Sequence, residues 1–278
     1  MNQAVRRRPE ATGKNNAAPR LFSGVDVGAA ATKLVLMAET GERVAEVALP
    51  SGVDYEATAK SCLEQALSQA GAIAEQIVRT VATGYGRRNV SFADETFTEI
   101  HCHGVGAHFL VGGRAFCLVD IGGQDNKIIH LRADGTRDDF KMNRKCAAGT
   151  GAFIEEIALR LGLELSTMDG LARSSQEAVK LSSFCTVFAK TEILAHLRQG
   201  VPVAQIVRGA FLSVINRVLE MDPLAEDVVL TGGVVHHNGA IADILAEKLG
   251  RPVTVPPSPQ FTGALGAALL ARQQMNRT

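Results

Sequence analysis

The 278-residue sequence has little of what the recognition of nucleic acids requires. It contains no tryptophan, only 5% of its residues are aromatic, and its formal net charge at pH 7 is zero. Proteins that stack bases and neutralise phosphates need aromatic side chains and an excess of lysine and arginine. We therefore expect no nucleic-acid partner and no electrostatic attraction to an anionic membrane.

The sequence also has no long apolar segment, and we expect no secretory leader. No apolar run approaches the roughly 20 residues that a membrane-spanning helix needs, so we expect no membrane segment. Residues 1–20 are basic and polar and lack the apolar centre of a secretory signal. We expect this stretch to be a disordered tail and the protein to be cytoplasmic.

Cysteine is scarce, and its five copies are an odd number that does not suit a disulfide framework. Cys62 and Cys117 lie in helical and strand patterns, and we interpret both as small core residues. Cys102 stands between two histidines, but three consecutive side chains of one regular element do not converge on one metal ion. Cys146 and Cys185, each in a turn before a helical pattern, are the candidates for chemistry.

The apolar patterns that are present predict an α/β protein in which one supersecondary unit occurs twice. Each unit is a strand ending in an aspartate, a glycine-rich turn and two more strands, over residues 21–49 and 115–142. Further strands are predicted at 77–82, 227–231 and 253–255. Helical spacing is found at 55–70, 98–111, 151–161, 166–174, 186–199, 203–221, from the third glycine loop to 249, and at 262–275.

The length suits two domains of ordinary size better than one large domain. The duplicated unit places their boundary between residues 113 and 114. We expect a first domain over 21–113 and a second over 114–278, which includes a helical insertion that carries the two cysteines. The closing helix at 262–275 is a candidate to pack on the first domain.

The first glycine-rich loop has the sequence DVGAAATK and begins at Asp26. Small residues such as Gly28 in a turn between two strands let backbone N–H groups approach phosphate oxygens. Asp26 can hold Mg²⁺ through water, and Lys33 can offset phosphate charge. We therefore predict that this loop binds phosphate.

The second loop, DIGGQDNK, repeats this plan from Asp120 onward. It supplies a second carboxylate at the end of a strand, the flexible pair Gly122 and Gly123, and a lysine, Lys127. Gln124 can orient an attacking water. We predict that Asp26, Asp120 and Gln124 are catalytic and that the glycines and lysines bind nucleotide.

The third loop, TGGVVHHNG, opens a helix with Gly232 and Gly233 and continues to Asn238. A helix N-terminus can lie against a nucleotide, and we assign these three residues to cofactor binding. Each glycine loop alone is more often a simple turn, but three loops with two acidic strand ends favour a nucleotide site. The P-loop pattern is missing, and the dinucleotide fingerprint is excluded because a strand follows each of the first two loops.

This pattern resembles the actin, sugar kinase and Hsp70 ATPase superfamily. The resemblance implies an α/β fold of two ribonuclease-H-like (actin-like ATPase) domains, with a cleft between them that binds Mg-ATP.

Two chemical roles fit the thiols of Cys146 and Cys185. Either can be a nucleophile, because a helix N-terminus lowers the pKa of a thiol, although no base is paired with them in the sequence. Alternatively they are metal ligands. A cubane or a zinc ion usually takes four ligands, and two chains related by a two-fold axis would supply four thiols.

Short motifs then indicate one family. The chain resembles the activators of 2-hydroxyacyl-CoA dehydratases and the ATP-binding subunits of benzoyl-CoA reductases over about residues 22–272. The motifs that carry the resemblance are CAAGTG at 146–151, SFCTVFA at 183–189, DIGGQD at 120–125, ATGYGR at 82–87, TGGV at 231–234 and GALGAAL at 263–269.

The resemblance implies a [4Fe-4S] cluster shared between two subunits, with Cys146 and Cys185 as the ligands of this chain. It implies a homodimer, or a heterodimer with a related subunit, in which ATP hydrolysis lowers the potential of the cluster. The electron would pass to an acyl-CoA-binding iron-sulfur reductase or dehydratase component.

Several positions depart from the pattern of this family. Residues 29–31 are alanines where the family places hydroxyl groups, which leaves phosphate contacts to backbone N–H groups and Thr32. Arg144 stands in place of aspartate, Ala152 in place of arginine and Lys190 in place of glutamate. The changes at Arg144 and Lys190 favour a reductase subunit over a dehydratase activator. The alternatives are a small-molecule kinase and an ATP-gated binding protein.

Overall fold

A computed structural model describes residues 19–181 and 186–275. They form a five-stranded sheet with the order β3-β2-β1-β4-β5 and a four-stranded sheet with the order β8-β7-β6-β9. The strands are β1 (Leu21–Val27), β2 (Ala31–Ala38), β3 (Arg43–Pro50), β4 (Ile77–Thr83), β5 (Glu95–Thr96), β6 (Phe116–Ile121), β7 (Asn126–Leu131), β8 (Arg137–Asn143) and β9 (Val228–Thr231).

The two sheets repeat one plan, as the duplicated sequence unit predicted. β1 pairs antiparallel with β2 and parallel with β4, while β6 pairs antiparallel with β7 and parallel with β9. The register is also repeated, because Asp26 lies opposite Lys33 and Asp120 lies opposite Lys127. Each unit therefore places one carboxylate and one ammonium side by side at the end of its central strand.

Helices cover the sheets and fill the second half of the chain. They are α1 (Tyr55–Ala70), α2 (Glu99–Val111), α3 (Gly151–Leu161), α4 (Met168–Arg173), α5 (Thr186–Arg198), α6 (Val203–Met221), α7 (Gly233–His237), α8 (Ala240–Leu249) and α9 (Thr262–Met275). Among the described residues, no helix is both long and apolar enough to cross a membrane.

The bounds of α1 follow from its sequence. Asp54 begins the helix by accepting a hydrogen bond from the backbone N–H of Ala57, and Gly71 ends it in the left-handed conformation with φ 59°. Ala59, Cys62 and Ala66 are buried on the face that contacts the first sheet. Cys62 is thus a small core residue, as its position in the helical pattern predicted.

Some predicted elements were wrong. Residues 253–255 form no strand, because only a single bridge joins Thr254 to Val229. The helix after the third loop is two helices, since Asn238 leaves the helical conformation with φ −136° and ends α7. The start of the predicted 166–174 helix is a 3₁₀ turn at Leu165–Thr167. The two-residue strand β5 carries too little pattern to be predicted.

Helices α2 and α9 cross between the two sheets at a contact that only glycine permits. A Cβ atom on Gly266 would lie 1.8 Å from the carbonyl oxygen of Cys102, and one on Gly106 would lie 2.1 Å from that of Thr262. On the other side, α9 lies so close to β1 that a Cβ atom on Gly24 would be 2.0 Å from the carbonyl oxygen of Ala264. The closing helix therefore packs on the first sheet and touches α2.

The buried side chains of α2 pack on both sheets. Its Ile100 and Ala107 pack with residues of β6, β7 and β9, whereas its Cys102 packs with Phe22 of β1 and Val81 of β4. Apolar side chains on two faces of one helix bury it on both sides. Residues on α2 are therefore held in position relative to both sheets.

Candidate functional site

The two predicted acidic residues are buried at the ends of the central strands. Asp26 is 5% exposed and Asp120 is 3% exposed. The Lys33 Nζ atom lies 3.9 Å from Asp26 Oδ2, and the Lys127 Nζ atom lies 3.4 Å from Asp120 Oδ2. A buried carboxylate needs a nearby positive charge or hydrogen-bond donors, and the strand register supplies one lysine for each aspartate.

Lys127 is the most strongly paired cation of this cluster. Its Nζ atom lies 2.7 Å from Asp125 Oδ1, 3.4 Å from Asp120 Oδ2 and 3.4 Å from Glu99 Oε2. Burial alone would lower its pKa, but the three carboxylates outweigh burial and raise the pKa of Lys127 above its usual range. The ammonium therefore stays charged and holds the second loop against α2.

Asp120 is kept ionised by its neighbours. Burial would raise its pKa, but His103, Lys127 and Lys33 outweigh that effect and lower the pKa of Asp120 to about 2. The hydroxyl of Thr231 also donates a hydrogen bond to Asp120 Oδ1 over 3.1 Å. Ionised carboxylate oxygens are the ligands that Mg²⁺ prefers, so the cluster suits a hydrated divalent cation.

His103 and Glu99 belong to this cluster, and sequence reasoning missed both. His103 Nδ1 lies 3.4 Å from Asp120 Oδ1, and His103 Nε2 lies 3.9 Å from Asp26 Oδ2. Both side chains come from α2, four positions apart and thus on one face of the helix. The sequence signal that could have revealed them is a pair of polar residues at that spacing on a largely buried helix.

The first and second loops face each other. A Cβ atom on Gly123 would lie 2.6 Å from the Cβ atom of Ala30. Gly122 closes the second turn, donating from its backbone N–H to the carbonyl oxygen of Asp125 over 2.9 Å. Gln124 is exposed at the tip of this loop. The structure brings the two predicted phosphate loops together, as a shared ligand would require.

The side chain of Thr32 is directed into the protein. Its Oγ1 atom lies 2.9 Å from Ser51 Oγ, and Ser51 donates to the carbonyl oxygen of Gly28 over 2.6 Å. Because Ser51 has a single hydroxyl proton, Thr32 is the donor in the first of these bonds. Thr32 thus supports Gly28 from behind, and the side of the loop that faces the second loop offers alanines and backbone groups.

The third predicted loop lies against the end of β6. Gly232 has φ 105°, and a Cβ atom there would lie 2.3 Å from the carbonyl oxygen of Ile121. Gly233 has open space around its Cα atom. Asn238 is buried at the end of α7 and donates from Nδ2 to the carbonyl oxygen of Val234 over 3.0 Å. Gly232 is therefore packed closely on β6, whereas Gly233 is partly exposed, and the amide nitrogen of Asn238 is used within its own helix.

A further glycine motif, ATGYGR at 82–87, lies beside Asp26. A Cβ atom on Gly84 would be 2.5 Å from Asp26 Oδ1, and the backbone N–H of Gly86 donates to the carbonyl oxygen of Val27 over 2.9 Å. Tyr85 between them is 73% exposed. The structure therefore adds this turn to the surroundings of the first aspartate.

Cys146 differs from the other described cysteines in its exposure. Burial raises the pKa of the Cys62 thiol to about 11 and of the Cys102 and Cys117 thiols to about 12, which makes them unreactive core groups. Cys146 is exposed in the turn before α3, and the backbone N–H of Ala148 lies 3.5 Å from its Sγ atom. An accessible sulfur with a nearby N–H donor fits a ligand of an iron-sulfur cluster.

The second predicted thiol ligand, Cys185, lies outside the described residues. Lys190 of α5, which follows it, pairs with Glu156 of α3 over 2.8 Å between Nζ and Oε1. Arg160 donates to the same carboxylate oxygen over 2.8 Å. The unusual lysine at 190 therefore has an acidic partner on the neighbouring helix, and Arg144 is exposed beside Cys146.

Hydrogen bonds connect the second glycine loop directly to the turn that carries Cys146. At the N-terminus of α3, the backbone N–H of Gly151 donates to the carbonyl oxygen of Gly122 over 2.9 Å, and that of Ala152 donates to Gly123 over 2.7 Å. Asn126, which follows the loop, donates from Nδ2 to the carbonyl oxygen of Gly149 over 2.6 Å. The loop and the cysteine turn are therefore joined by three hydrogen bonds.

A second group of possible metal ligands lies at the other end of the sheet. Cys117, His130 and Asp222 place their ligand atoms within 4.8 Å of one another. His130 already pairs with Asp222 over 3.1 Å and with Glu226 over 3.2 Å, and Lys141 pairs with Asp222 over 2.8 Å. The polar members of this group already pair with one another, and burial raises the pKa of the Cys117 thiol to about 12 and keeps it neutral, so we interpret the group as an ion-pair cluster.

Comparisons with known proteins agree with this geometry. The family model described as "BadF/BadG/BcrA/BcrD ATPase family" matches residues 23–271. The chain is 42% identical to the activator of lactoyl-CoA dehydratase of Anaerotignum propionicum over 251 residues, which is 89% of this chain and 96% of that protein. It is 27% identical to one of the subunits of benzoyl-CoA reductase of Thauera aromatica, covering 90% of this chain and 92% of that protein.

One solved structure is similar to this chain over nearly the whole length of both proteins. The activator of the 2-hydroxyisocaproyl-CoA dehydratase from Clostridium difficile, with bound ADPNP, superposes with a TM-score of 0.86 at 35% identity. The match covers 92% of this chain and 96% of that chain.

Proposed function

The chain belongs to the BadF/BadG/BcrA/BcrD ATPase family, and from this premise we propose that it is an ATP-hydrolysing electron donor for an acyl-CoA dehydratase. The 42% identity to a dehydratase activator, against 27% to a reductase subunit, supports the activator. This difference in identity outweighs the preference for a reductase subunit that Arg144 and Lys190 suggested in the sequence. The acceptor is then a dehydratase component that binds a 2-hydroxyacyl-CoA.

In this proposal the nucleotide lies where the first and second loops meet. The backbone N–H groups of the loops bind phosphate, because the alanines and glycines there let the chain approach closely. Asp26 and Asp120 hold Mg²⁺, directly or through water, and Lys33 offsets phosphate charge. Gln124, exposed at the tip of the second loop, orients the attacking water.

We further propose that the nucleotide cleft lies between two domains of the chain. We assign residues 21–113, closed by α9, to a first domain and the rest of the chain to a second. Gly232 and Gly233 let the third loop approach the nucleotide from the second domain. Asn238, whose Oδ1 atom is buried, completes this loop. The assignment of the third loop can be tested by substituting its glycines or Asn238.

The thiols of Cys146 and Cys185 belong to the second part of the proposal. Two copies of the chain, or this chain and a related subunit, would contribute four thiolates to a [4Fe-4S] cluster, which supplies one-electron transfer at low potential. The exposure of Cys146 supports a position at a subunit interface. Helix α3 begins just after this turn, and its N-terminal dipole stabilises negative charge on the sulfur.

The observation that carries this proposal is the set of hydrogen bonds between the second glycine loop and the N-terminus of α3. Any rearrangement of the loop around the phosphates is transmitted through Gly122 and Gly123 to the backbone of Gly151 and Ala152. The turn with Cys146 moves with them, because it immediately precedes this helix. ATP hydrolysis and thiol geometry are thereby coupled over a few bonds.

Anaerobic purification provides the test. We expect a brown protein with about two iron atoms per chain that hydrolyses ATP. Cys146→Ala should lose the iron and keep ATP hydrolysis within about twofold, since the thiol lies outside the nucleotide loops. Cys62→Ala, which removes a buried core thiol, is the matched control and should keep its iron. A colourless protein after anaerobic reconstitution with iron and sulfide would rule out the cluster.

A further inference from the structure

One side chain, His103, touches the acidic residues of both sheets. Its Nδ1 atom lies 3.4 Å from Asp120 Oδ1 in the second sheet, and its Nε2 atom lies 3.9 Å from Asp26 Oδ2 in the first. The residue is 5% exposed. Nδ1 makes no hydrogen bond of normal geometry with the described part of the chain. A histidine with only a packing role would satisfy its ring nitrogens, so this arrangement calls for another reason.

The surroundings of His103 fix its ring in this place. Helix α2 packs on the second sheet through Ile100 and on the first through Cys102, so the ring cannot follow one sheet alone. Gly263 of α9 leaves the necessary room. A Cβ atom at Gly263 would lie 2.7 Å from His103 Nε2 and 2.9 Å from Asp26 Oδ2. Helices α2 and α9 together thus place one imidazole between the two carboxylates.

We propose that His103 is a positioning residue of the nucleotide site, which sets the separation of the Asp26 and Asp120 carboxylates across the cleft. The proposal rests on the function proposed above, in which these carboxylates hold the Mg²⁺ of the nucleotide. Two buried carboxylates repel each other, and an imidazole N–H between them offsets that repulsion. The ring therefore keeps both groups near the cation at a fixed distance.

This role predicts opposite changes in cation binding and in rate. His103→Leu keeps the volume but removes the N–H donor, so the carboxylates lose a partner and a divalent cation becomes their better alternative. We expect Mn²⁺, in the presence of ADP, to bind at least about threefold more tightly. Because the carboxylates are no longer held at one separation, kcat for ATP hydrolysis should fall roughly 10- to 100-fold. KM for ATP should change less than kcat.

Two further variants separate positioning from packing. His103→Gln keeps one N–H donor and should recover part of the lost kcat. Gly263→Ala leaves the imidazole intact but crowds both the ring and Asp26 Oδ2, and should lower kcat as His103→Leu does. His101→Gln is the matched control, because His101 is on the same helix and its side chain is exposed. It should match the wild type in both measurements.

The measurements are electron paramagnetic resonance of free Mn²⁺ for binding and steady-state kinetics for the rate, each accompanied by thermal unfolding. The proposal is overturned if His103→Leu behaves like His101→Gln in both. It is also overturned if His103→Leu weakens Mn²⁺ binding in proportion to a loss of stability, since that is the result of a packing role. A wild-type protein that binds Mn²⁺ and ADP without hydrolysing ATP contradicts the proposed function, and the binding measurement still decides the role of His103.

Discussion

At the residue scale, burial decides which charges this protein tolerates and where. Lys127 is 4% exposed, and its buried charge is compensated because the carboxylates of Asp120, Asp125 and Glu99 surround it. Removing one member of such a cluster costs more than its contribution as a pair, because the remaining charges stay buried without compensation. Charged residues at these positions are therefore interdependent.

His130 provides a test of residue-scale electrostatics outside the cleft. Burial would lower its pKa, but hydrogen bonds with Glu226 and Asp222 outweigh burial and raise it. Since the folded pKa exceeds the unfolded value of about 6.5, the charged ring stabilises the fold below about pH 6.5. This contribution is lost as the pH rises through the folded pKa.

We therefore expect His130→Gln to lower the free energy of unfolding more at pH 6 than at pH 9. The difference should be about 1 kcal/mol or less, because solvent screens a partly exposed pair. Urea unfolding of both proteins at the two pH values measures it. Glu226→Gln, which removes one of the raising partners, should reduce the pH dependence. An equal effect of His130→Gln at both pH values would contradict this account.

At the scale of elements, two close contacts position the site. One joins the N-terminus of α3 to the second glycine loop, where the backbone N–H of Gly151 donates to Gly122. The other is the crossing of α2 and α9, in which Gly106 and Gly266 let the helix backbones touch. The first connects the loop to the thiol, and the second sets the position of α2 between the sheets.

Gly266→Ala tests the helix crossing. The new Cβ atom would lie 1.8 Å from the carbonyl oxygen of Cys102, a backbone atom that can move only if the helices separate. We expect a loss of about 1–3 kcal/mol or more in the free energy of unfolding. Gly170→Ala in α4 is the control, because nothing lies within 4 Å of its added Cβ atom. It should stabilise the protein by about 0.5–1 kcal/mol, and both values can be measured by urea unfolding.

At the scale of the whole molecule, the fold is the actin-like ATPase fold that the resemblance of the glycine loops to that superfamily implied, and the similarity to the activator structure confirms it. Two sheets each supply a carboxylate, and α2 is packed on both. A ligand between the first and second loops contacts both sheets at once.

Coupling across the molecule can be followed at Cys146 without any iron present. In cluster-free protein, Mg-ADPNP should slow the alkylation of Cys146 at least about threefold, because binding fixes the second loop and the turn bonded to it. Peptide mass spectrometry after iodoacetamide treatment gives the rate at this site. In Asn126→Ala, which loses the hydrogen bond to Gly149, the effect of the nucleotide should shrink.

Asn143→Ala is the matched control for this measurement. Asn143 donates to the carbonyl oxygens of Cys146 and Ala148 within the turn itself. Its loss should speed alkylation with and without nucleotide and leave the ratio of the two rates unchanged. If Asn126→Ala keeps the full response to Mg-ADPNP, the coupling does not pass through this hydrogen bond.

The sequence by itself determined most of the helices and strands and the candidate loops of this protein. The bounds of α1, α3, α6 and α9 were predicted correctly because periodicity, helix caps and breakers act over a few residues. The glycine loops and Cys146 were visible for the same reason, since turn chemistry is local. The number of residues in each hairpin also determines that a lysine lies opposite Asp26 and opposite Asp120.

Only the tertiary structure decided which distant residues meet. His103 reaches Asp26 and Asp120 because α2 packs on both sheets, and no local pattern contains that information. The inward direction of Thr32 depends on Ser51, 19 residues away. The bonds from α3 to the second loop likewise join residues far apart in the chain. Contacts of this kind arise when apolar faces are buried together, so they are set by packing of the whole molecule.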